Sequence, residues 1–317
     1  MKIDFSRVVS LFQSNNSFII LTHANPDGDT LGSGCALMAA LKKLGKKVKI
    51  VNNDKIPEKY SYMTDKAVND EIHSGLIVSV DVADVKLLGK DVEKEYAERT
   101  DLAIDHHGTN RLFAKESYIE SDSASNCEIM YLIIKALGVS IDKYIADCLY
   151  TGCSTDTGCF RYSNVTVRTH EIAAHLIALG ADHAAINVKM FETKKKGYVK
   201  LQAMCLDKME FYCGDKICIL TVTRNMLEQT GTTDEDVDAI VAFSRQIEGV
   251  LVGITLKEKD AGIFKASVRT HEGVDASAIC SAFGGGGHMR AAGCSFDGDI
   301  EQFKNQIIAV TEQHIMS

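Results

Sequence analysis

Four short stretches of the chain carry aspartate and histidine side chains, and each follows an apolar run. They are HANPDGD at residues 23–29, Asp81, DHHG at residues 105–108 and STDTG at residues 154–158. Ligands of an open parallel sheet bind beyond the carboxyl ends of its strands, so clusters that end successive strands converge on one crevice. Several carboxylates in one crevice repel each other unless cations neutralise them. The pattern therefore predicts a site for divalent metal ions.

Each stretch has an ordinary alternative explanation when it is taken alone. The first could be a polar turn in which Asp29 or Thr30 caps a helix. Asp81 could be a polar residue at a strand end, residues 105–107 a hydrogen-bonded histidine pair, and Asp156 a residue that orders a loop. Their joint occurrence at successive element ends favours metal binding over these alternatives.

The ligand types indicate which metals would bind. Asp and His suit hard or borderline divalent ions, and the absence of Cys from these stretches disfavours a structural zinc site. The stretches offer more oxygen and nitrogen donors than one ion needs. Two ions about 3.5–4 Å apart that share Asp81 would use them, and such a pair is suited to phosphoryl chemistry.

The elements that position these residues alternate between strands and helices in the first half of the chain. Strand-like runs lie at residues 17–22, 48–51, 76–80 and 102–104, and helical patterns lie at 31–44, 126–137, 141–153 and 167–179. Strands that alternate with helices predict βαβ units. We therefore expect a mainly parallel sheet flanked by helices.

The pattern of apolar and polar residues changes near KKKG at residues 194–197. Beyond it lie strand-like runs at 216–222, 250–256 and 263–268, helical patterns at 233–244, 275–283 and 300–315, and the loop GGGGH at 284–288. We expect an α/β protein with a metal-binding domain at residues 1–188, a linker at 189–200 and a smaller α/β domain at 201–317.

Composition limits which substrates, partners and cellular locations are expected. The net charge of −8 argues against a general basic face for long duplex nucleic acid, but it leaves short anionic substrates open. No apolar run approaches the roughly 20 residues that span a bilayer, so no membrane partner is expected. The ten cysteines include no C-x-x-C pair, which favours reduced thiols in a cytoplasmic protein. A homodimer is possible on symmetry grounds alone.

Taken together, the motifs resemble those of the DHH phosphoesterase superfamily. The matching strings are H-x-N-P-D-G-D-x-x-G-S at residues 23–33, the strand end at Asp81, D-H-H at 105–107 and G-x-x-x-D-T-G-x-F at 152–160. The string G-G-G-G-H-x-x-A-A-G at 284–293 resembles the signature of the companion DHHA1 domain. The likeness spans nearly the whole chain. Its length is similar to that of the bifunctional oligoribonucleases and PAP phosphatases, the nanoRNase branch.

The resemblance implies a set of metal ligands. One ion would be held by His23, Asp27 and Asp81, and the other by Asp29, Asp81, His106 and Asp156. The family implies two Mn²⁺ ions, with Mg²⁺ or Co²⁺ as alternatives. A water between the ions would attack the phosphorus.

The same resemblance implies catalytic roles for three residues. Asp81 would bridge the ions, and Asp105 would orient a histidine rather than bind metal directly. His107 would contact the scissile phosphate or protonate the leaving oxygen.

The second domain is expected to hold the phosphate of the substrate. Glycine runs let backbone N–H groups approach an anion closely, and histidine and arginine add donors. The candidates are Gly285, Gly286, Gly287, His288, Arg290, Arg269 and Arg245. A flexible turn and ordinary surface arginines are the alternatives.

The expected protein is therefore a metal-dependent phosphodiesterase. It would release 5′-mononucleotides from very short single-stranded RNA and would also convert 3′-phosphoadenosine 5′-phosphate to AMP. Two alternatives stay open: a phosphodiesterase for linear dinucleotides such as pApA, and a nucleotide-binding module without chemistry.

Overall fold

The computed structural model describes residues 1–241, 243–260 and 262–316. The chain divides into two compact units, Met1–Thr193 and Lys194–Ser317. The predicted linker, residues 189–200, spans this division. It contains most of a π-helical turn at Val188–Glu192 and the start of a helix at Lys196–Asp207.

The first unit is built on a five-stranded parallel sheet. Its strands are β1 Ser17–Leu21, β2 Lys47–Val51, β3 Leu76–Val80, β4 Leu102–Asp105 and β5 Glu116–Ile119. They lie in the order β2-β1-β3-β4-β5, and every neighbouring pair is parallel. The carboxyl ends of β1, β3 and β4 therefore meet side by side at one edge of the sheet.

Helices cover both faces of this sheet. They are α1 Phe5–Ser14, α2 Gly28–Lys43, α3 Ser61–Thr64, α4 Lys90–Tyr96, α5 Asn126–Ala136, α6 Lys143–Asp156, α7 Val167–Ala178 and α8 His183–Asn187. Along β1, Phe18 and Ile20 join the larger core with α1, α2, α5 and α6, whereas Ile19 and Leu21 face a smaller core around α4. Burial on both faces explains why the strands read as continuous apolar runs.

The second unit contains a six-stranded mixed sheet. Its strands are β6 Glu210–Tyr212, β7 Ile217–Val222, β8 Val252–Asp260, β9 Ile263–Thr270, β10 Gly286–His288 and β11 Ala291–Asp297, in the order β10-β11-β9-β8-β7-β6. Only the β7–β8 pair within this described sheet is parallel. The helices are α9 Lys196–Asp207, α10 Arg224–Thr230, α11 Asp234–Val241, α12 Ala276–Ser281 and α13 Ile300–Met316.

Two apolar cores sandwich this second sheet. Ile217 and Ile219 of β7 pack in the core that includes α12 and α13, whereas Leu220 and Val222 pack with α9, α10 and α11. The predicted α/β class, with a mainly parallel first sheet and a second α/β domain, is confirmed. In the described part of the chain, no helix is both long enough and apolar enough to cross a bilayer.

Candidate metal centre

Three neighbouring strands deliver the predicted side chains to one edge of the first sheet. β1 leads to His23, β3 ends just before Asp81, and β4 ends at Asp105, which His106 follows. Asp81 has a left-handed backbone with φ of 60°, which is uncommon for a residue with a side chain. Its N–H donates to the carbonyl of Ile104 at 2.9 Å, so the turn at Asp81 is fixed to the end of β4.

The start of α2 supplies two more carboxylates. Asp27 is the N-cap, and its Oδ1 accepts from the N–H groups of Asp29 and Thr30 at 3.0 and 3.1 Å. The fully buried Asp29 accepts from the N–H groups of Asn126 and Cys127 at 2.6 and 2.9 Å. These amides open α5 and lack partners within that helix. The amino end of α5 therefore orients the carboxylate of Asp29.

Close packing of α6 brings Asp156 to the same place. Asp156 is the last residue of α6, and Gly152 lies one turn earlier. A Cβ atom at Gly152 would lie 2.5 Å from Oδ1 of Asp29. Glycine at this position therefore lets α6 approach the buried carboxylate, which explains the glycine in the G-x-x-x-D-T-G string.

The side chains form two adjacent sets of potential ligands. The sets are His23, Asp27 and Asp81, and Asp29, His106 and Asp156, with ligand atoms within 4.8 Å of one another in each set. Asp81 faces both sets. Its Oδ2 lies 3.7 Å from Nε2 of His23, and its Oδ1 lies 3.5 Å from Nε2 of His106. A carboxylate with one oxygen on each side has the geometry of a bridge between two ions.

Both histidines present Nε2 to the carboxylates because Nδ1 is occupied. Nδ1 of His23 lies 2.8 Å from the carbonyl oxygen of Ala24, and Nδ1 of His106 lies 3.2 Å from that of Ser123. A carbonyl oxygen only accepts, so Nδ1 carries a proton in each ring, and Nε2 is the nitrogen that can bind a metal once the metal displaces its proton. This arrangement is typical of metal-binding histidines.

Two buried atoms at the centre lack partners in the described residues. Oδ1 of Asp81 and Nε2 of His106 are inaccessible to solvent and form no hydrogen bond. Buried polar atoms are normally hydrogen-bonded, and an unpaired one costs about 1–3 kcal/mol. These two face each other across 3.5 Å. A cation between them would satisfy both, so the donor set fits a bound metal.

The electrostatics of the site lead to the same conclusion. Burial raises the pKa of Asp29 to about 7, and the charge of Asp81 adds to this effect. Burial and the charge of Asp29 raise the pKa of Asp156 to about 7. Burial disfavours the charged ring of His106, but the carboxylates of Asp81 and Asp29 outweigh it and raise its pKa to about 10. The site therefore attracts protons strongly, as expected for a cation-binding pocket that contains only protein groups.

Asp105 and His107 lie beside the two ligand sets and form, with Asp81 and His106, a third group whose potential ligand atoms lie within 4.8 Å of one another. Oδ1 of the fully buried Asp105 lies 2.8 Å from Nδ1 of His107, and its Oδ2 accepts from Nδ2 of Asn110 at 2.7 Å. The side chain of His107 is 46% exposed, and its Nδ1 lies 3.6 Å from Oδ1 of Asp81. Asp105 therefore orients a histidine that is open to a ligand.

The predicted phosphate-binding residues of the second unit cluster at one end of its sheet. In the ladder, His288 pairs with Ala291, which in turn pairs with Arg269. Arg269 also pairs with Gly253, where a Cβ would lie 2.7 Å from the backbone nitrogen of Arg245. The strand pairing therefore assembles two arginines and a histidine from distant parts of the chain.

The glycines of the loop differ in their surroundings. A Cβ at Gly285 would lie 2.5 Å from Cβ of Cys294, and one at Gly287 would lie 2.6 Å from the carbonyl oxygen of Ala291. A Cβ at Gly286 would meet nothing within 4 Å. Two of the glycines thus allow close packing on β11, whereas Gly286, like Gly284 at the start of the loop, has open space where a Cβ would lie. Arg290 is exposed, and its Nη2 lies 3.2 Å from Oε1 of Glu272.

Several groups that hold the predicted ligands in place are not among the site residues predicted from the sequence. Asn110 holds Asp105, the carbonyl of Ser123 holds His106, and the first amides of α5 hold Asp29. Ser125 is the N-cap of α5 and marks where those amides begin, so it was an available signal. A backbone carbonyl has no side-chain signature, so nothing in the sequence pointed to the role of Ser123.

The chain matches two family models. The DHH family N-terminal domain matches residues 17–153, and the DHHA1 domain matches residues 214–315. A bifunctional oligoribonuclease and PAP phosphatase NrnA of Thermus thermophilus is 31% identical over 303 residues, covering 93% of this chain and 89% of the relative.

Solved structures share the fold. An exopolyphosphatase-related protein from Bacteroides fragilis superposes with a TM-score of 0.84 at 24% identity, covering 98% of this chain and 95% of that one. A Thermus thermophilus RecJ structure in complex with Mn²⁺ has a TM-score of 0.51 at 15% identity, covering 98% of this chain and 54% of RecJ. With the metal-centre geometry, the two family matches and the extended similarity to NrnA, the chain belongs to the DHH/DHHA1 family of phosphoesterases.

Proposed function

We propose that this protein is a two-metal phosphodiesterase that hydrolyses very short oligoribonucleotides to 5′-mononucleotides and dephosphorylates 3′-phosphoadenosine 5′-phosphate. The observation that carries the proposal is the position of Asp81, whose two oxygens face the two ligand sets. The NrnA name of the Thermus thermophilus relative supports the substrate class. A complete ligand set disfavours a nucleotide-binding module without chemistry.

The ligands divide between two ions. His23, Asp27 and Asp81 would hold one ion, and Asp29, Asp81, His106 and Asp156 would hold the other. Imidazole among the ligands favours Mn²⁺ over Mg²⁺, and Co²⁺ would also suit the set. The RecJ structure with Mn²⁺ supports a divalent metal ion in this fold, whereas the choice of Mn²⁺ rests on the ligand types.

Residues beside the ligands would complete the chemistry. Bound divalent ions would supply an activated water and polarise the phosphoryl group. His107, aligned by Asp105, would donate a proton to the oxygen that leaves the phosphorus. The hydrogen bond from Asp105 raises the pKa of His107, which favours the protonated form that this step needs.

The second unit would bind the phosphate that is not cleaved. Arg269 lies on β9, and Arg245 lies in the 3-10 turn Phe243–Arg245, which packs against Gly253 of the adjacent strand β8. Gly286 leaves its backbone open to an anion. His288 and Arg290 would add donors, while Gly285 and Gly287 would keep the loop packed on β11.

Short substrates suit a protein whose net charge is −8. All ten cysteines are free, which supports the expected cytoplasmic location. The absence of a membrane partner stays a prediction. A homodimer stays a prediction.

A substrate panel tests this proposal. Single-stranded RNAs of two to eight nucleotides, phosphoadenosine phosphate, linear pApA, pyrophosphate and polyphosphate would each be incubated with the protein and Mn²⁺, and products would be separated by chromatography. We expect rapid release of mononucleotides from the shortest RNAs and AMP from phosphoadenosine phosphate. Exclusive turnover of pApA would favour the linear-dinucleotide alternative. Turnover of polyphosphate alone would refute a nucleotide substrate.

A further inference from the structure

An exposed aromatic side chain lies on the loop that follows the predicted ligand Asp156. Tyr162 is 59% exposed, and within the described residues its hydroxyl forms no hydrogen bond. Exposed apolar groups are common on proteins, so exposure alone shows little. The informative feature is how firmly the rest of the loop is held.

The backbone of this loop is strained and hydrogen-bonded. Gly158, Cys159 and Phe160 have left-handed φ angles of 55°, 61° and 60° in succession. Such angles cost about 1–3 kcal/mol for residues with side chains, and they cluster at functional sites. The N–H of Tyr162 donates to the carbonyl of Thr157 at 3.1 Å, which closes the turn.

The ring of Tyr162 rests on this turn. A Cβ at Gly158 would lie 2.5 Å from Cε1 of Tyr162, so glycine at this position lets the ring lie against the backbone. Asn164 then ties the loop to the metal centre, because its Nδ2 donates to the carbonyls of Asp156 and Ala124 at 3.2 and 2.9 Å. The loop that carries the aromatic ring is therefore held beside the predicted ligand Asp156.

The two aromatic residues of the loop have different surroundings. Phe160 packs inward, with its ring centroid 5.7 Å from that of Tyr150 and 5.7 Å from that of His170. Tyr162 has no such ring partner among the described residues. Phe160 anchors the loop, and the ring of Tyr162 is left available for another planar group.

We propose that Tyr162 stacks on a nucleobase of the substrate. This inference rests on the proposed function and adds a specificity element to it, since a base has a flat face and an inorganic phosphate chain does not. Stacking on an aromatic side chain tolerates any base, which suits an enzyme that degrades RNA of mixed sequence. It would place the phosphate next to the base against the metal centre.

The test compares Tyr162→Ala and Tyr162→Phe with the unmodified protein on pApA and on two analogues, each lacking one adenine. We expect Tyr162→Ala to raise KM for pApA about 5- to 150-fold, the range that loss of one base–aromatic stack allows, with kcat little changed. Tyr162→Phe keeps the ring and should behave like the unmodified protein. The analogue that lacks the stacked base should show no difference between the unmodified protein and Tyr162→Ala.

Phe211→Ala is the matched control, because Phe211 is an aromatic residue that is 42% exposed on β6 of the second unit. It should leave KM unchanged. An unchanged KM in Tyr162→Ala, with an active unmodified protein, would overturn the stacking inference alone. Failure of the unmodified protein to cleave any nucleotide would refute the proposed function instead. A lower Mn²⁺ stoichiometry in Tyr162→Ala would also overturn the inference, because the loop would then support the metal centre only.

Discussion

The imidazole of His106 is held by the backbone of Ser123, whose carbonyl oxygen lies 3.2 Å from Nδ1. The hydroxyl of Ser123 accepts in turn from Nη2 of Arg168 at 2.7 Å. Arg168 also binds Glu120 at 2.6 Å and the fully buried Glu128 at 3.3 Å. Arg168, at the start of α7, therefore stabilises the loop whose Ser123 carbonyl orients the predicted metal ligand His106.

We predict that Arg168→Ala weakens binding of one of the two ions. Loss of outer contacts to a metal ligand typically lowers metal affinity 10- to 100-fold, and His106 belongs to one ligand set only. Calorimetric titration with Mn²⁺ should show one weakened site and one unchanged site. Arg168→Lys keeps the charge beside Glu128 and should lose less affinity.

Arg7→Ala is the control for Arg168, since Arg7 forms a 2.7 Å ion pair with Glu116 at the opposite end of β5. It should leave both affinities intact. Equal weakening of both sites in Arg168→Ala would contradict a role through His106.

We predict that Asp81→Asn reduces Mn²⁺ stoichiometry from two ions to one or none and abolishes turnover. An amide cannot donate two anionic oxygens to two cations, although its shape preserves the fold. Asparagine also adopts left-handed backbone angles readily, so φ of 60° is tolerated. Metal content after dialysis would be measured by atomic emission. Asp84→Asn, on a partly exposed N-cap nearby, should retain both ions.

The metal-free protein should lose stability as pH rises from about 4 to about 10. The pKa values of Asp29 and Asp156 in the folded protein, about 7, exceed the ordinary aspartate pKa of 3.8, so folding takes up protons that are released between these two values. Burial opposes protonation of His23, but Asp27 outweighs it and raises the pKa of His23 to about 9, which extends the loss above pH 6.5. Each proton that is bound only in the folded state lowers the free energy of unfolding by about 1.4 kcal/mol for every unit by which the pH rises.

Urea unfolding in EDTA at a series of pH values would measure this slope. Asp27 does not reverse this loss of stability with rising pH. Its pKa is lowered in the folded protein, so Asp27 is already ionised at pH 5 in both the folded and the unfolded state. Adding Mn²⁺ at pH 8 should restore stability, since cations replace the lost protons. A metal-free protein that grows more stable over this range would contradict the assigned shifts.

We predict that His107→Ala lowers kcat on dinucleotides about 10²- to 10⁴-fold and leaves Mn²⁺ stoichiometry unchanged, as expected for loss of a proton donor. A nucleoside p-nitrophenyl phosphate has a leaving group that needs no proton, so its kcat should fall much less. Asp105→Asn removes the carboxylate that raises the pKa of His107 and should shift the alkaline limb of the kcat profile to lower pH. Equal losses on both substrates would argue against proton donation.

Much of the first sheet was predictable from the sequence, and so were the Asp and His residues that follow its strands. Buried parallel strands are continuous apolar runs, so the runs before Asp81 and Asp105 marked β3 and β4 directly. Short or half-exposed strands have no such signal. The strands β5, β6, β10 and β11 were absent from the prediction, although β5 leads to the loop that holds His106 and β10 carries the glycines.

The support of the site was harder to predict than its ligands. Arg168 lies in an ordinary amphipathic helix, and its contacts to Glu120 and Ser123 come from tertiary packing that no local pattern encodes. The glycines at 285 and 287 were expected to admit a phosphate, whereas packing on β11 also requires them. Glycine suits both close approach of an anion and close packing of strands. The sequence alone therefore does not distinguish between these two roles.

The ligand-bearing positions extend from His23 to Asp156 along the chain and meet only where β1, β3 and β4 lie side by side. Such non-local pairing forms late, after the entropy of closing long loops has been overcome. During synthesis on the ribosome, the emerging polypeptide should therefore have no tight manganese site until α6 has docked. Manganese uptake would then report assembly of the first unit through α6, and a stalled nascent chain that ends before residue 156 should not bind the ion tightly.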